Sequence, residues 1–281
     1  MNTATALTAL PTVPAAASGT DTTTGTTARP RTLLVTGASR GIGAAAALAA
    51  ARAGWDLMVN YARDAAAAQA VCAQVRAAGR RAVAVQGDVG DEAQVMALFA
   101  QLDAEVAAGR LPPLAGLVNN AGVVDLPARV DEMSGARIER MFRINVFGSM
   151  WCAREAVRRL STKHGFAGGS IVNLSSAAAR IGSPGQYVDY AAAKGAIDVF
   201  TLGLAREVAT EGIRVNAVRP GVIETDIHAS GGMPDRARQM APLVPMLRAG
   251  SADEVAQAIV WLLSPAASYT TGSVVDVTGG R

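Results

Sequence analysis

Thr36-Gly37-Ala38-Ser39-Arg40-Gly41-Ile42-Gly43 is the stretch on which the reading of this chain turns. It follows the apolar, β-like run Thr32-Leu33-Leu34-Val35 and leads into the helix-forming run from Ala44 to Arg52. Strand, glycine turn and helix start, in that order, let backbone N–H groups and a helix dipole receive a phosphate. A side chain at Gly37, Gly41 or Gly43 would hold the backbone away from a pyrophosphate or spoil helix-on-strand packing. The spacing G-x-x-x-G-x-G matches neither the G-x-G-x-x-G fingerprint nor the P-loop. Taken alone, it also fits a glycine-rich connection with no ligand.

The 281 residues carry a formal charge of +3 and are 50% hydrophobic but only 4% aromatic. A core of Ala, Val, Leu and Ile suits helices packed closely on a parallel sheet, and the length suits one α/β domain. Lys and Arg are scattered without a basic block, which argues against a nucleic-acid partner. No apolar run approaches the ~20 residues of a membrane span. Cys72 and Cys152, with no CxxC and no neighbouring His, read as buried reduced thiols and point to the cytoplasm. Residues 1–28 have neither the cationic start of a signal peptide nor the arginines of a mitochondrial presequence. They read as a disordered extension ahead of a domain over 29–281.

Along that domain, strands are expected at Trp55–Asn60, Arg81–Gln86, Gly116–Val118, Ser170–Leu174, Arg214–Val218 and Ser273–Val277, alternating with helices. The second strand ends where an acidic residue would read an adenosine ribose and repel a 2′-phosphate. Asn60-Tyr61-Ala62-Arg63 stands there instead, and Arg40 lies in the glycine turn. Two guanidiniums and no carboxylate favour NADP(H) over NAD(H), although Arg63 also reads as the start of a solvated helix. The third strand stops at Gly87-Asp88-Val89, where Asp88 either accepts from an adenine amino group or caps the next helix; Asp91 and Glu92 suit the cap better. Asn119-Asn120-Ala121-Gly122 follows the fourth strand as a turn able to hold strand ends together. Within an apolar helical region from about Ile138 to Arg159, Asn145 needs a polar partner. Tyr190 and Lys194, at i and i+4, share one helical face. Residues 227–248, with Gly231-Gly232, read as a substrate-covering loop. Seven strands alternating with helices predict a single-domain, doubly wound parallel sheet of Rossmann type with helices on both faces.

The set resembles the short-chain dehydrogenase/reductase family over residues 31–281: TGxxxGxG at 36–43, NNAG at 119–122, a helix Asn at 145, a strand-end Ser at 176, YxxxK at 190–194 and PG-x-x-x-T at 220–225. That resemblance implies Tyr190 as general acid/base, Ser176 polarising the substrate carbonyl, Lys194 on the nicotinamide ribose and Asn145 supporting a proton-relay water. It implies cofactor contacts at Gly37, Ser39, Arg40, Gly41, Ile42, Gly43, Asn60, Arg63, Asp88, Val89, Asn119, Ala121, Gly122, Tyr190, Lys194, Pro220, Gly221, Ile223 and Thr225, and a homotetramer. Tyr190 lies fourteen residues after Ser176 rather than the family's commoner thirteen, which keeps Ser175 open as an alternative. Tyr187, with no lysine at i+4, reads as a pocket or packing residue, and His164 and His228 form no metal site.

The implied chemistry is a ketone or aldehyde interconverted with an alcohol, similar to the 3-oxoacyl-carrier-protein reductase and glucose dehydrogenase branch. A sugar or alcohol dehydrogenase using NAD(P)+ fits the same motifs. A dinucleotide-binding sensor or scaffold without turnover is the reading from another class. Hydride arriving on a carbonyl carbon leaves charge on oxygen, which a phenol at hydrogen-bond distance neutralises and a serine hydroxyl helps to hold. A tyrosine working near neutrality needs its pKa brought down from about 10, and nearby cations do that.

Overall fold

The computed structural model describes residues 30–281; the extension expected over 1–28 lies outside the described residues. Seven strands form one parallel sheet in the order β3-β2-β1-β4-β5-β6-β7. They are β1 (Thr32–Val35), β2 (Asp56–Tyr61), β3 (Ala82–Gln86), β4 (Leu114–Asn119), β5 (Gly169–Leu174), β6 (Ile213–Pro220) and β7 (Val274–Val277). The helices between them are α1 (Gly41–Arg52), α2 (Ala65–Ala77), α3 (Glu92–Ala107), α4 (Gly135–Phe142), α5 (Gly148–Leu160), α6 (Ala178–Ile181), α7 (Val188–Val208), α8 (Ile227–Ser230), α9 (Arg236–Met240) and α10 (Ala252–Leu263).

Side chains alternate across a strand, so a parallel sheet covered twice must be apolar in both registers. Leu33, Val35, Leu57 and Val59 pack with α1, α2 and α10 on one face. Leu34, Met58, Leu117 and Ile171 pack with α3, α5 and α7 on the other. Cys72 and Cys152 are buried, one in each layer, and unpaired. No helix among the described residues is long and apolar enough to cross a membrane. The strand order reverses about β1, whose neighbours are β2 and β4, and this opens a crevice at the strands' carboxyl ends.

Two elements differ from the sequence expectation. α1 begins at Gly41 rather than Ala44, which draws the last two glycines of the turn into the helix's first turn. The helix expected from Ile138 to Arg159 is split: α4 and α5 are joined by a π-helical segment, Arg143–Phe147. The side-chain amide of Asn145 donates to the Met141 carbonyl at 3.0 Å, the acceptor that its own backbone N–H would use in an α-helix. The ladder widens there by one residue. Asp91 caps α3 as expected, accepting from the N–H groups of Ala93 (2.9 Å) and Gln94 (3.2 Å).

Arg137 on α4 clamps the start of α7. Its Nε and Nη2 donate to the two oxygens of Asp189 at 2.8 and 3.2 Å, and Nη1 donates to the Leu126 carbonyl at 2.6 Å. The two side chains are 10% and 3% exposed, so either charge left alone is stranded. Arg137→Leu is therefore expected to destabilise the protein by roughly 3–5 kcal/mol, read as a lower urea midpoint at unchanged m-value.

Candidate active site

The glycine turn is built by pressing backbone on backbone. A Cβ on Gly37, whose φ is +59°, would come within 2.9 Å of the Ala121 Cα, and one on Gly43 would lie 2.6 Å from the Gly37 carbonyl oxygen. Thr36 holds this contact: its Oγ1 accepts from the N–H groups of both Asn120 and Ala121 at 3.0 Å. The Asn120 amide donates back to the carbonyls of Thr36 (2.8 Å) and Gly37 (3.0 Å). The strand-holding role expected of the turn containing Asn120 is seen here, while its partner Thr36 was not singled out from sequence, the 84-residue separation hiding the pairing.

Several expected cofactor residues turn inward instead. Asn60 is buried: its Oδ1 accepts from the Gly37 N–H at 3.1 Å and its Nδ2 donates to the Gly87 carbonyl at 2.9 Å. It ties the turn to β2 and the end of β3, and its side chain does not reach the crevice. The Asn119 amide donates to the Ser149 carbonyl (3.0 Å) and to Asn173 Oδ1 (2.9 Å), bracing β4 against α5 and β5. Val89 is buried in the core beside α3 and α5. Asp88 is exposed but has one oxygen committed to the Gly90 N–H at 2.8 Å. Arg40 and Arg63 are exposed and make no ion pair or hydrogen bond through their side chains among the described residues. The nearby carboxylate of Asp64 is used to cap α2, accepting from the Ala67 N–H at 2.9 Å.

A pocket opens at the carboxyl edge, lined by Ile42, Gly122, Ser176, Tyr190, Lys194, Pro220, Gly221, Ile223 and Thr225 from the expected set. Thr225 reaches back over the turn, its Cγ2 3.5 Å from where a Cβ on Gly41 would stand. Tyr190 and Lys194 project from one face of α7, with the Lys194 Nζ 5.7 Å from the centre of the Tyr190 ring. Both serines line the pocket, but Ser175 is buried and donates to the Lys194 backbone carbonyl at 3.3 Å, whereas the Ser176 hydroxyl lies close enough to the Tyr190 phenol to favour its ionised form. The structure thus favours Ser176 over its neighbour. Tyr187 also lines the pocket, with its hydroxyl donating to the Met233 sulfur at 3.5 Å. The His164 side chain is exposed, and that of His228 lies outside the described residues.

Asn145 sits behind this group. Its Oδ1 accepts from the Val123 N–H at 3.2 Å and its Nδ2 donates to the Val123 carbonyl at 3.0 Å, pinning the strand leaving Gly122. A Cβ on Gly122 would lie 2.7 Å from that Oδ1 and 3.5 Å from the Lys194 Nζ, so the glycine lets both polar groups approach.

Burial works on the two titratable groups in opposite chemical directions. It raises the Tyr190 phenol above its ordinary value, opposed by the hydrogen bond from Ser176. It lowers the Lys194 ammonium to about 8, opposed by the charge of Asp198 one turn along α7. Lys194 is only 4% exposed and donates to the Leu174 carbonyl at 2.7 Å. Both shifts favour the neutral form, as desolvation must.

A family model described as enoyl-(acyl carrier protein) reductase matches residues 37–281. The chain is 52% identical over 248 residues to an uncharacterized oxidoreductase, YgfF, of Escherichia coli K12, covering 88% of this chain and 98% of that one. It is 38% identical over 248 residues to a 3-oxoacyl-[acyl-carrier-protein] reductase of Synechocystis, covering 88% and 95%. Among solved structures, a short-chain dehydrogenase of Burkholderia cenocepacia in complex with NADP superposes with a TM-score of 0.77 at 34% identity, covering 89% and 97%. A short-chain dehydrogenase/reductase of Mycobacterium marinum gives 0.81 at 32% identity, covering 89% and 94%.

The lowered Lys194 pKa has a measurable sign. Between about pH 8 and its ordinary 10.5 the unfolded chain holds this proton and the folded chain does not, so stability rises with pH across that window. Below pH 8 both states are protonated and the burial penalty is constant. The stability of the wild type relative to Lys194→Met should accordingly increase by on the order of 3 kcal/mol from pH 8 to 10.5 in denaturant titrations.

Proposed function

Because the chain belongs to the short-chain dehydrogenase/reductase family of oxidoreductases, we propose that it interconverts a ketone or aldehyde with an alcohol, using NADP(H) and Tyr190 as general acid/base. The observation that carries this reading is the meeting of the Ser176 and Tyr190 hydroxyls in a pocket that also holds Lys194 and runs to Ile42 on the glycine turn. Two hydroxyls converging on one point suit a carbonyl oxygen better than a carbon–carbon double bond, which has no atom there to accept from both.

The residues present fit a nicotinamide dinucleotide. Backbone already fills the space beside Gly37 and Gly43, leaving bare peptide at the start of α1 for a pyrophosphate. The unpaired Arg40 and Arg63, beside a strand end with no free carboxylate, support a 2′-phosphate and hence NADP(H) over NAD(H). When bound, the nicotinamide supplies or accepts the hydride. In the reductive direction the raised pKa keeps the Tyr190 phenol protonated through neutrality, ready to donate its proton to the carbonyl oxygen, while Ser176 donates a hydrogen bond to the same atom. Lys194, largely an ammonium below pH 8, lies against the phenol ring and favours the phenolate left behind. Asn145 holds the backbone at Val123 and thereby the wall beside Gly122; its role is to position rather than to react.

A homotetramer accords with the apolar side chains left exposed on the outer helices: Met150 on α5, Val199 and Leu202 on α7, and Trp261 on α10.

Two substitutions test the reading. Tyr190→Phe should lower kcat/KM for ketone reduction by about 10²- to 10⁴-fold, followed at 340 nm, with NADPH still bound as judged by its fluorescence. Arg40→Ala should weaken NADPH binding by about 10- to 100-fold and leave NADH binding unchanged; equal effects on both would argue against the 2′-phosphate contact.

A further inference from the structure

The charged side chains lining the pocket among the described residues are Lys194, Arg236 and Arg281; no aspartate or glutamate faces it. Lys194 belongs to the chemistry at Tyr190. Arg236 and Arg281 stand on the outer wall, and of the two Arg236 is the one seated against an aromatic ring of the same pocket. The other arginines nearby are neutralised: Arg238 pairs with Asp235 at 2.9 Å and Arg248 with Glu254 at 2.6 Å. Among the described residues Arg236 makes no ion pair. Its guanidinium carbon stands 5.2 Å from the centre of the Tyr187 ring, and its Nη1 lies 3.6 Å from the Met233 sulfur, to which the Tyr187 hydroxyl also donates.

This aromatic and thioether seat fixes the guanidinium without neutralising it. Tyr187 immediately precedes α7 and Tyr190 lies in its first turn, and both line the pocket. A substrate whose oxygen lies between Ser176 and Tyr190 therefore extends past Tyr187 within a few bonds. A planar guanidinium fork matches a carboxylate through two parallel hydrogen bonds.

Resting on the carbonyl-reductase reading above, we infer that Arg236 reads an anion on the substrate, and that the substrate class is a short oxo acid, or the hydroxy acid in the reverse direction, with its carboxylate a few bonds from the reacting carbon.

The test uses the purified full-length chain with NADPH and four probes: acetoacetate, 4-oxopentanoate and the methyl ester of each. For at least one pair the acid is expected to have a kcat/KM ten or more times that of its ester. Arg236→Met should erase the preference by raising KM for the acid about 10- to 100-fold while leaving kcat and the ester unchanged, and Arg236→Lys should restore part of it. Equal handling of acid and ester, or an equal loss on both in Arg236→Met, overturns the inference. Calorimetry on Tyr190→Phe separates it from the chemistry. Acid binding that needs Arg236, with no carbonyl turned over by the wild type, sustains the anion site and sinks the reductase reading; ester turnover without acid binding does the reverse.

Discussion

Everything at the carboxyl edge of this sheet depends on how closely the turn after β1 meets the loop after β4. At Gly37 and Gly43 there is no space for even a methyl group, and the Thr36 hydroxyl receives two backbone N–H groups from the opposing loop. Such contacts leave no play. Asn60 closes the other flank by accepting from the Gly37 N–H, so the turn is gripped from β2 and from β4 together. A phosphate site made of peptide N–H groups works only if those groups keep their direction when the ligand is absent. Here the direction is set by hydrogen bonds that the ligand does not replace.

The same edge carries an electrostatic tension. Lys194 and Tyr190 are packed where water is excluded, and each is driven toward its neutral form. A protonated phenol beside an ammonium suits proton donation to a carbonyl oxygen. Alcohol oxidation needs the phenolate, which this desolvated pocket disfavours until further positive charge arrives. Asp198 enters here indirectly: it holds the Lys194 charge up from one turn away and is itself held by Arg219 at 2.8 Å, which also pairs with Asp276 on β7. The last strand of the sheet is thus connected by charge to the middle of the site.

How far sequence alone carried the reading depended on whether a residue's role was local. The strands were legible because apolar runs between turn residues have one reading in a chain with this α/β alternation, and Asp91 was legible as a cap because its partners are the next two N–H groups in line. Tyr190 and Lys194 were legible as one face of a helix. Asn60 and Asn119, expected among the cofactor contacts, spend their side-chain amides on partners within the fold, which position along a strand does not reveal. The π-helical segment at Arg143–Phe147 was invisible for a related reason: the carbonyl that Asn145 takes is four residues back, but the bonds that hold it there come from Val123, on the far side of Gly122. Arg236 left no signal at all, since its partner Tyr187 lies on another element.

That division between local and distant contacts also divides the pocket's labour. The wall formed by β4, β5 and α7 is made of regular structure, with side chains fixed by backbone carbonyls such as Leu174 under Lys194. The opposite wall is short helices and turns, α8 and α9 among them, tied by isolated backbone bonds such as those between Gly250 and Val222 or Glu224 rather than by a continuous sheet ladder. Chemistry needs its groups held to within fractions of an ångström, whereas selectivity needs only the right charge at the right depth. Tyr187 and Tyr190 join the two walls: one aromatic seats the cation of the irregular side, the other meets Ser176 on the regular side, and both stand at the start of the same helix, α7. A change in the segment after β6 can therefore alter what enters the pocket without disturbing Ser176, Tyr190 and Lys194.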